Sequence, residues 1–228
     1  MQILYEDNHI IVVVKECNIP VQEDNSKDLD MLTMIKQYIK EKYNKPGNVY
    51  LGLVHRLDRP VGGIMVFAKN EKANANLSKQ IQQGLFSKQY LAVVCGKPEK
   101  QKEKLTDLLW KNERLNMSKV VCKGTNNAKE AVLEYELLKS VEVDNEVLSL
   151  VRVYLYTGRH HQIRVQMSNA GLPLWGDTKY NLKFGRGSKT RNVQIALWAE
   201  TLSFEHPVIG KEMFFSEKTQ EYPFSLFN

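Results

Sequence analysis

The feature that most constrains the fold is the run Ile10–Val14, in which every position is apolar. A strand with one wet face alternates apolar and polar residues, so this run predicts a strand buried on both faces. Residues 3–5 are also β-rich and residues 6–9 are polar, which predicts a hairpin over residues 3–15. The run is far shorter than the roughly 20 residues of a membrane span, and the start of the chain has no signal-peptide pattern.

The remaining patterns predict more strands than helices. Apolar spacing predicts helices over residues 29–43 and 70–85, with Asn70 as an N-cap, and a short helix, His160–Asn169, that stops at Gly171. Most neighbouring strands have hairpin spacing, so we expect one α+β domain, residues 1–228, on a large mixed, mainly antiparallel β-sheet. The predicted strands cover residues 50–54, 64–68, 90–95, 131–138, 147–156, 193–204 and 213–215, with a polar excursion of short pieces over 99–128.

Composition excludes several classes of protein. With 228 residues, 43% hydrophobic and 25% charged, the chain has the profile of a soluble globular protein and is long enough to bury a sizeable core. Its three cysteines, Cys17, Cys95 and Cys122, are odd in number and far apart, which argues against a disulfide framework and favours the cytoplasm. We expect a monomer, because no exposed heptad or long apolar stripe stands out.

Positive charge is concentrated in two stretches. Residues 152–191 hold eight basic residues and one acid, and residues 55–90 hold six basic residues and two acids. A polyanion partner is the simplest reason for such concentration, and a solvated Lys/Arg face is the alternative.

The first candidate site is the segment 55–63, which reads His-Arg-Leu-Asp-Arg-Pro-Val-Gly-Gly. In an extended backbone Arg56 and Asp58 share one face and Leu57 lies on the other. The two glycines allow another backbone or a ligand to approach closely. Taken alone, the segment is also compatible with a surface Arg–Asp pair worth at most about 1 kcal/mol.

The second candidate site is the segment 157–166, where a strand ends at a Thr-Gly turn and a helix begins. Amides at the helix N-terminus could hold a phosphate, with Arg159 adding charge. His160 and His161 are unpromising as metal ligands, because adjacent histidines diverge in a helix and no Cys or carboxylate lies at ligand spacing. We therefore expect no metal.

These segments, with Lys88–Ala92 between them, resemble the RluA-type RNA pseudouridine synthases. The resemblance extends over roughly residues 2–216, through an opening strand pair at 4–13, Gly-Asp-x-x-Tyr at 176–180 and Phe-x-His-Pro at 204–207. Three departures stand out: Pro60-Val61 replaces a usual hydroxyl pair, Trp198 replaces a usual histidine, and no S4-type domain precedes the hairpin. A stand-alone catalytic domain is therefore expected.

The resemblance implies the pseudouridine synthase catalytic fold and isomerisation of uridine within structured ribosomal or transfer RNA, with base flipping and no cofactor. Asp58 matches the catalytic aspartate, Arg164 the arginine that pairs with it, and Tyr90 the active-site aromatic. Tyr90 could otherwise be a core residue. The alternatives are a catalytically silent RNA-binding protein of the same fold and a structural domain with incidental charge. RNA contacts are expected from Arg56, Arg59, Arg159, His161, Gln162, Lys179, Arg186 and Arg191.

Overall fold

The computed structural model describes residues 1–185 and 193–228, which divide into two compact units. The first unit comprises Met1–Ser87 and Ala199–Glu217, and the second comprises Lys88–Trp198 and Lys218–Asn228. None of the helices in the described ranges is long and apolar enough to cross a membrane.

The first unit contains an antiparallel sheet with two helices. In it β1 pairs with β2, β2 with β4, β3 with β4, and β10 with β11. The elements are β1 (Gln2–Glu6), β2 (Ile10–Lys15), α1 (Met31–Lys42), β3 (Gly52–Leu53), β4 (Gly62–Ala68), α2 (Glu71–Gln82), β10 (Leu197–Glu205, from residue 199 onward) and β11 (Glu212–Ser216).

The predicted hairpin is confirmed, and its second strand is central. β2 lies between β1 and β4, and all six of its residues are buried. Ile10 and Val12 contribute to a core cluster that also contains Leu77 from α2 and Phe204 from β10. The apolar run therefore reflects a strand covered on both faces, as predicted.

The helix predictions are right in type and too long at the ends. Asn70 caps α2 by accepting a hydrogen bond from the Ala73 amide at 2.9 Å, as predicted. Asp30 caps α1 in the same way, so Leu29 lies outside that helix and is exposed. Leu85 likewise lies beyond the end of α2 and is exposed. Apolar residues at helical spacing continue beyond the start of α1 and the end of α2, but each helix is bounded by its capping residue.

Glu6 is a buried carboxylate at the end of β1. It accepts hydrogen bonds from the ammonium groups of Lys42 and Lys69, each at 2.7 Å, and from the phenols of Tyr38 at 2.9 Å and Tyr43 at 3.0 Å. Burial pushes the pKa of this carboxyl upward, but the four hydrogen bonds outweigh it and lower the pKa to about 2. The cluster ties β1 to α1 and to the residue after β4.

We expect Glu6→Gln to lower the free energy of unfolding at pH 7 by on the order of 3 kcal/mol. Because the folded-state pKa is the lower one, this stabilisation is present above pH 4.5 and is lost as the pH falls towards 2. Urea unfolding at pH 7 and pH 2.5 measures the gap between the wild type and the variant. Glu16→Gln, at an exposed carboxylate, is the control. A gap of equal size at both pH values would contradict the prediction.

The second unit is built on the antiparallel strand order β5-β9-β8-β6-β7. Its α3 packs against this sheet through the cluster of Leu109, Ala131 and Val165. The elements are β5 (Ser87–Cys95), β6 (Lys102–Asn112), β7 (Met117–Val121), β8 (Lys129–Val143), β9 (Glu146–Leu155), α3 (Gln162–Asn169) and a short 3₁₀ helix (Leu182–Phe184).

One prediction about this unit is wrong. Residues 99–128 are not an excursion of short pieces, because they contain the eleven-residue strand β6 and the strand β7. β6 begins with alternating exposed and half-buried side chains, and Leu109 is its one fully buried residue. Such a strand has little apolar signal in its sequence. By contrast, the β8–β9 hairpin is confirmed, with Asp144 and Asn145 both at positive φ in its two-residue turn.

The α+β class with a mainly antiparallel sheet is thus confirmed by the strand pairings within each unit.

Candidate active site

Asp58 lies on a tight turn between β3 and β4 in the first unit. The Val61 amide donates to the Asp58 carbonyl at 2.9 Å and closes this turn. Leu57 is buried, Arg56 is exposed and Asp58 is half-buried, which agrees with the alternation predicted for an extended segment. Asp58 thus stands at the boundary between the interior and the solvent.

The buried ammonium of Lys15 fixes this turn through hydrogen bonds to its carbonyl groups. Lys15 is the last residue of β2, and its Nζ donates to the carbonyls of Val61 at 2.7 Å and Arg59 at 2.9 Å. Burial lowers the pKa of Lys15 to about 8, and the charges of Cys17 and Asp58 partly oppose that shift. Lys15 therefore fixes the backbone after Asp58 and lies within electrostatic range of its carboxylate.

We expect Lys15→Met to lower the free energy of unfolding by about 2 kcal/mol at pH 7.5, because three carbonyls, those of Glu16, Arg59 and Val61, lose their donor. The folded-state pKa of Lys15 is about 8 and the ordinary value is 10.5, so the unfolded chain holds the extra proton between these values. The stability of the wild type relative to the variant should therefore rise with pH across that window. Urea unfolding at pH 7.5 and pH 10 tests this, with the exposed Lys36→Met as control. A gap that shrinks at pH 10 would refute it.

The second glycine after this turn is required by its surroundings. Gly63 has φ +124°, and a Cβ built on it would lie 2.5 Å from the Ala199 nitrogen and 2.7 Å from its Cα. No L-residue fits there without moving backbone. The predicted close approach at the Gly-Gly pair is therefore real, and the approaching group is the backbone of β10.

Arg59, a predicted RNA contact, is tied to a neighbouring loop. Its guanidinium donates to the Asn18 carbonyl at 3.1 Å and to Ser26 Oγ at 2.8 Å, and it pairs with Asp24 and Asp28. RNA would have to compete with these carboxylates. Arg56 is exposed.

The second unit contributes a buried arginine–carboxylate pair. Arg164, in the first turn of α3, donates through Nε and Nη2 to the two oxygens of Asp177 at 2.8 and 2.7 Å. Their side chains are only 4% and 0% exposed. The amides of Lys179 and Tyr180 donate to the same carboxylate at 2.9 and 3.2 Å. Four donors thus hold Asp177, and Asp177 in turn fixes the plane of the Arg164 guanidinium.

Tyr180 and His161 pack around this pair. The Tyr180 ring lies 5.3 Å from the Arg164 guanidinium carbon, and its hydroxyl accepts from the Ser118 amide at 2.7 Å and contacts His161 Nδ1 at 2.9 Å. Burial, with the nearby charge of Arg164 adding to it, lowers the pKa of His161 to about 2. His161 is therefore a neutral, mostly buried hydrogen-bonding partner of the Tyr180 hydroxyl.

The start of α3 differs from the prediction. His161 has φ +54°, so the helix begins at Gln162 rather than at His160. The rings of His160 and His161 do not diverge but stack, with centroids 3.7 Å apart, because neither residue is helical.

The buried side chain of Gln162 organises the turn before α3. It accepts from Thr157 Oγ1 at 2.8 Å and from the Arg159 amide at 2.9 Å, and it donates to the Val132 carbonyl at 3.1 Å. The Arg159 amide, which could have held a phosphate, is therefore bound to Gln162. RNA contact by Gln162 stays a prediction beside this positioning role.

The other predicted residues are placed as follows. Tyr90 is buried in β5, opposite Val153. Lys179 is exposed, and its Nζ donates to the Asn116 carbonyl at 2.7 Å. Arg186 and Arg191 lie outside the described residues.

A sequence model of the family described as RNA pseudouridylate synthase matches residues 9–169 of this chain. The chain belongs to this family. The ribosomal large subunit pseudouridine synthase D of Zymomonas mobilis is 30% identical over 94% of this chain and 68% of its own length. The ribosomal large subunit pseudouridine synthase C of Rickettsia bellii is 31% identical over 96% of this chain and 69% of its own length. The predicted resemblance and the assignment as an RNA pseudouridine synthase, an isomerase, are confirmed.

Solved structures show the same fold. The human RNA pseudouridylate synthase domain containing 1 superposes with a TM-score of 0.77 at 22% identity, covering 97% of this chain and 84% of its own. The human RNA pseudouridylate synthase domain containing 4 gives a TM-score of 0.78 at 22% identity, with coverages of 95% and 88%. The prediction of the pseudouridine synthase catalytic fold is therefore confirmed.

Sequence reasoning assigned no role to two residues that hold the candidate site together in the structure. Lys15 ends an otherwise apolar strand that is buried on both faces, and a lysine in that position signals a buried ammonium. Asp177 is the one acid among eight basic residues in segment 152–191, which signals a specific ion pair. Both patterns were present in the sequence, but neither identifies the residue that the charged group contacts.

Proposed function

We propose that this pseudouridine synthase modifies ribosomal RNA and that Asp58 carries the reaction. The relatives from Z. mobilis and R. bellii are named as enzymes of the ribosomal large subunit. The concentration of basic residues in segment 152–191 supports a polyanionic substrate. The observation that carries the proposal is a half-buried carboxylate on a turn whose backbone is fixed by the buried Lys15.

The reaction is an isomerisation that balances without a cofactor. The bond between ribose C1′ and uracil N1 breaks, the base turns, and C1′ bonds to C5. C5 then loses its proton to solvent and N1 gains one. Asp58 acts as a carboxylate, whether it attacks the sugar, attacks the base or takes the ribose 2′ proton. Each of these roles requires it to be ionised.

Arg164 is the counter-ion of Asp58 in this proposal. A guanidinium has five N–H donors, and the Asp177 fork takes two of them. The remaining donors serve the carboxylate of Asp58 and keep it charged when RNA covers the site. Asp177 then acts through Arg164, because it sets the plane in which those donors lie.

In this proposal Tyr90 and Arg56 stabilise the extruded state of the target uridine by stacking. A uridine stacked in structured RNA cannot be reached, so it leaves the stack at a cost of a few kcal/mol. The Tyr90 ring stacks on the flipped uracil. The exposed guanidinium of Arg56 stacks on the neighbouring bases and offsets part of that cost.

The test uses RNA labelled with tritium at uracil C5, transcribed without modification as separate ribosomal and transfer RNA pools. The proposal expects release of tritium to water from the ribosomal pool. Release from the transfer RNA pool alone would overturn the choice of substrate. RNA binding without release from either pool would favour a catalytically silent RNA-binding protein of the same fold.

A further inference from the structure

A polar cleft of about 700 Å³ lies within the second unit, between the β6–β7 hairpin and the turn before α3. Gly158, Arg159 and His160 form one wall. The opposite wall includes Lys111 from β6 and Lys129 at the start of β8. The lining holds three cations, the amides of Asn112 and Asn127 and the hydroxyl of Ser118. None of these groups has a role in the reaction proposed above.

Two cations of this cleft have charge available for a ligand. Arg159 is held by one hydrogen bond, from Nε to the Glu130 carbonyl at 2.8 Å. Within residues 1–185 and 193–228, its Nη groups have no hydrogen-bonding partner and Lys129 has no ion pair. The third cation, Lys111, pairs with Glu113 at 2.6 Å. Arg159 is therefore an anchored, exposed guanidinium that lines the cleft.

The two walls are tied to each other. His160 contacts Ser118 Oγ through Nδ1 at 2.9 Å and Asn116 Oδ1 through Nε2 at 3.0 Å, which joins the turn before α3 to β7 and the hairpin end. Lys179 donates to the Asn116 carbonyl at 2.7 Å from a third segment. The cleft is thus formed before any ligand arrives, and a preorganised site spends little binding energy on ordering its walls.

The chemistry of the lining fits a sugar–phosphate backbone. Two available cations share the cleft with two side-chain amides and one hydroxyl, groups that can bind phosphate and ribose oxygens. The space beside Gly158 is open, since a Cβ built there would meet only Lys88 Nζ, at 3.8 Å. Arg159 also lies five residues before Arg164, in the same family motif. We propose that this cleft holds the phosphodiester backbone of the substrate RNA. The inference rests on the proposed function.

The test compares the double variant Lys129→Gln/Arg159→Gln with the wild type. The probe is an unmodified ribosomal RNA transcript, and binding is measured by filter retention from 50 to 300 mM KCl. We expect the Kd at 100 mM KCl to rise about 10- to 50-fold. The slope of log K against log salt should become shallower by about 1.4, which corresponds to two phosphate contacts on a single strand.

The control is Lys97→Gln/Lys123→Gln, which removes the same charge from exposed sites of the second unit outside the cleft. It should change Kd by less than threefold. The inference is overturned if the cleft variant binds within threefold of the wild type, or if the control weakens binding as much. Thermal melting of both variants shows whether the fold is intact, and Arg159→Lys alone, which keeps the charge, should recover most of the affinity.

Tritium release is measured beside binding and separates the two proposals. If the wild type binds the transcript but releases no tritium, the proposed function fails, and the Kd comparison still decides whether the cleft holds RNA.

Discussion

Asp58→Asn is expected to slow tritium release from C5-labelled ribosomal RNA by about 10⁴-fold or more, while the variant still binds the RNA. Asparagine keeps the size of the side chain, removes the negative charge and replaces one acceptor oxygen with an NH₂ group. Each role open to Asp58 needs that charge, so the loss does not depend on which role is correct. The measurement is single-turnover release under saturating enzyme, which separates the chemical step from RNA binding.

The matched control for Asp58→Asn is Asp144→Asn in the exposed β8–β9 turn. This position has φ +52°, where asparagine is as well tolerated as aspartate, so the same chemical change should leave release at the wild-type rate. Thermal melting of both variants shows whether they fold. Release by a folded Asp58→Asn at more than about 1% of the wild-type rate would refute Asp58 as the reacting carboxylate.

The strands that build the core were predictable, because a strand buried on both faces has a continuous run of apolar residues. β2 is apolar throughout until Lys15, and the β8–β9 turn has residues that accept positive φ. β6 was not predictable in this way, since most of its side chains are half exposed and only Leu109 is fully buried. Pairing with β8 over eight residues makes it a strand, and that pairing partner is invisible to local patterns.

The candidate site was predictable as residue types but not as contacts. Asp58 and Arg164 were identified from motifs, whereas the partner of Arg164 in the second unit, Asp177, lies 13 residues further on in a loop. Gln162 was predicted to contact RNA, and the structure adds that its side chain fixes the turn before α3. Long-range hydrogen bonds decide such roles, and a sequence gives their donors and acceptors without pairing them.

Asp177→Asn is expected to lower the free energy of unfolding by about 3 to 5 kcal/mol, which corresponds to a fall in Tm of about 10 °C for a chain of this length. The substitution leaves the buried Arg164 charge without its carboxylate, and an amide NH₂ replaces one of the two acceptors that the guanidinium uses. Urea unfolding and calorimetry measure both quantities at pH 7.

The control is Asp107→Asn. The Asp107 carboxylate accepts a hydrogen bond at 2.7 Å from the neutral Gln166, which lies on α3 like Arg164. Losing a neutral partner should cost about 1 kcal/mol. A folded Asp177→Asn that is no less stable than Asp107→Asn would show that the buried pair contributes little.

The same variant tests the link from Asp177 through Arg164 to Asp58. If Asp177 sets the plane of the guanidinium, Arg164 in Asp177→Asn is a poorer counter-ion for the reacting carboxylate. The single-turnover rate of tritium release per folded molecule should then fall, whereas a loss of stability alone would leave that rate unchanged wherever the variant is folded. Asp107→Asn should keep the wild-type rate. A wild-type rate in folded Asp177→Asn would separate Asp177 from catalysis and leave it a purely structural residue.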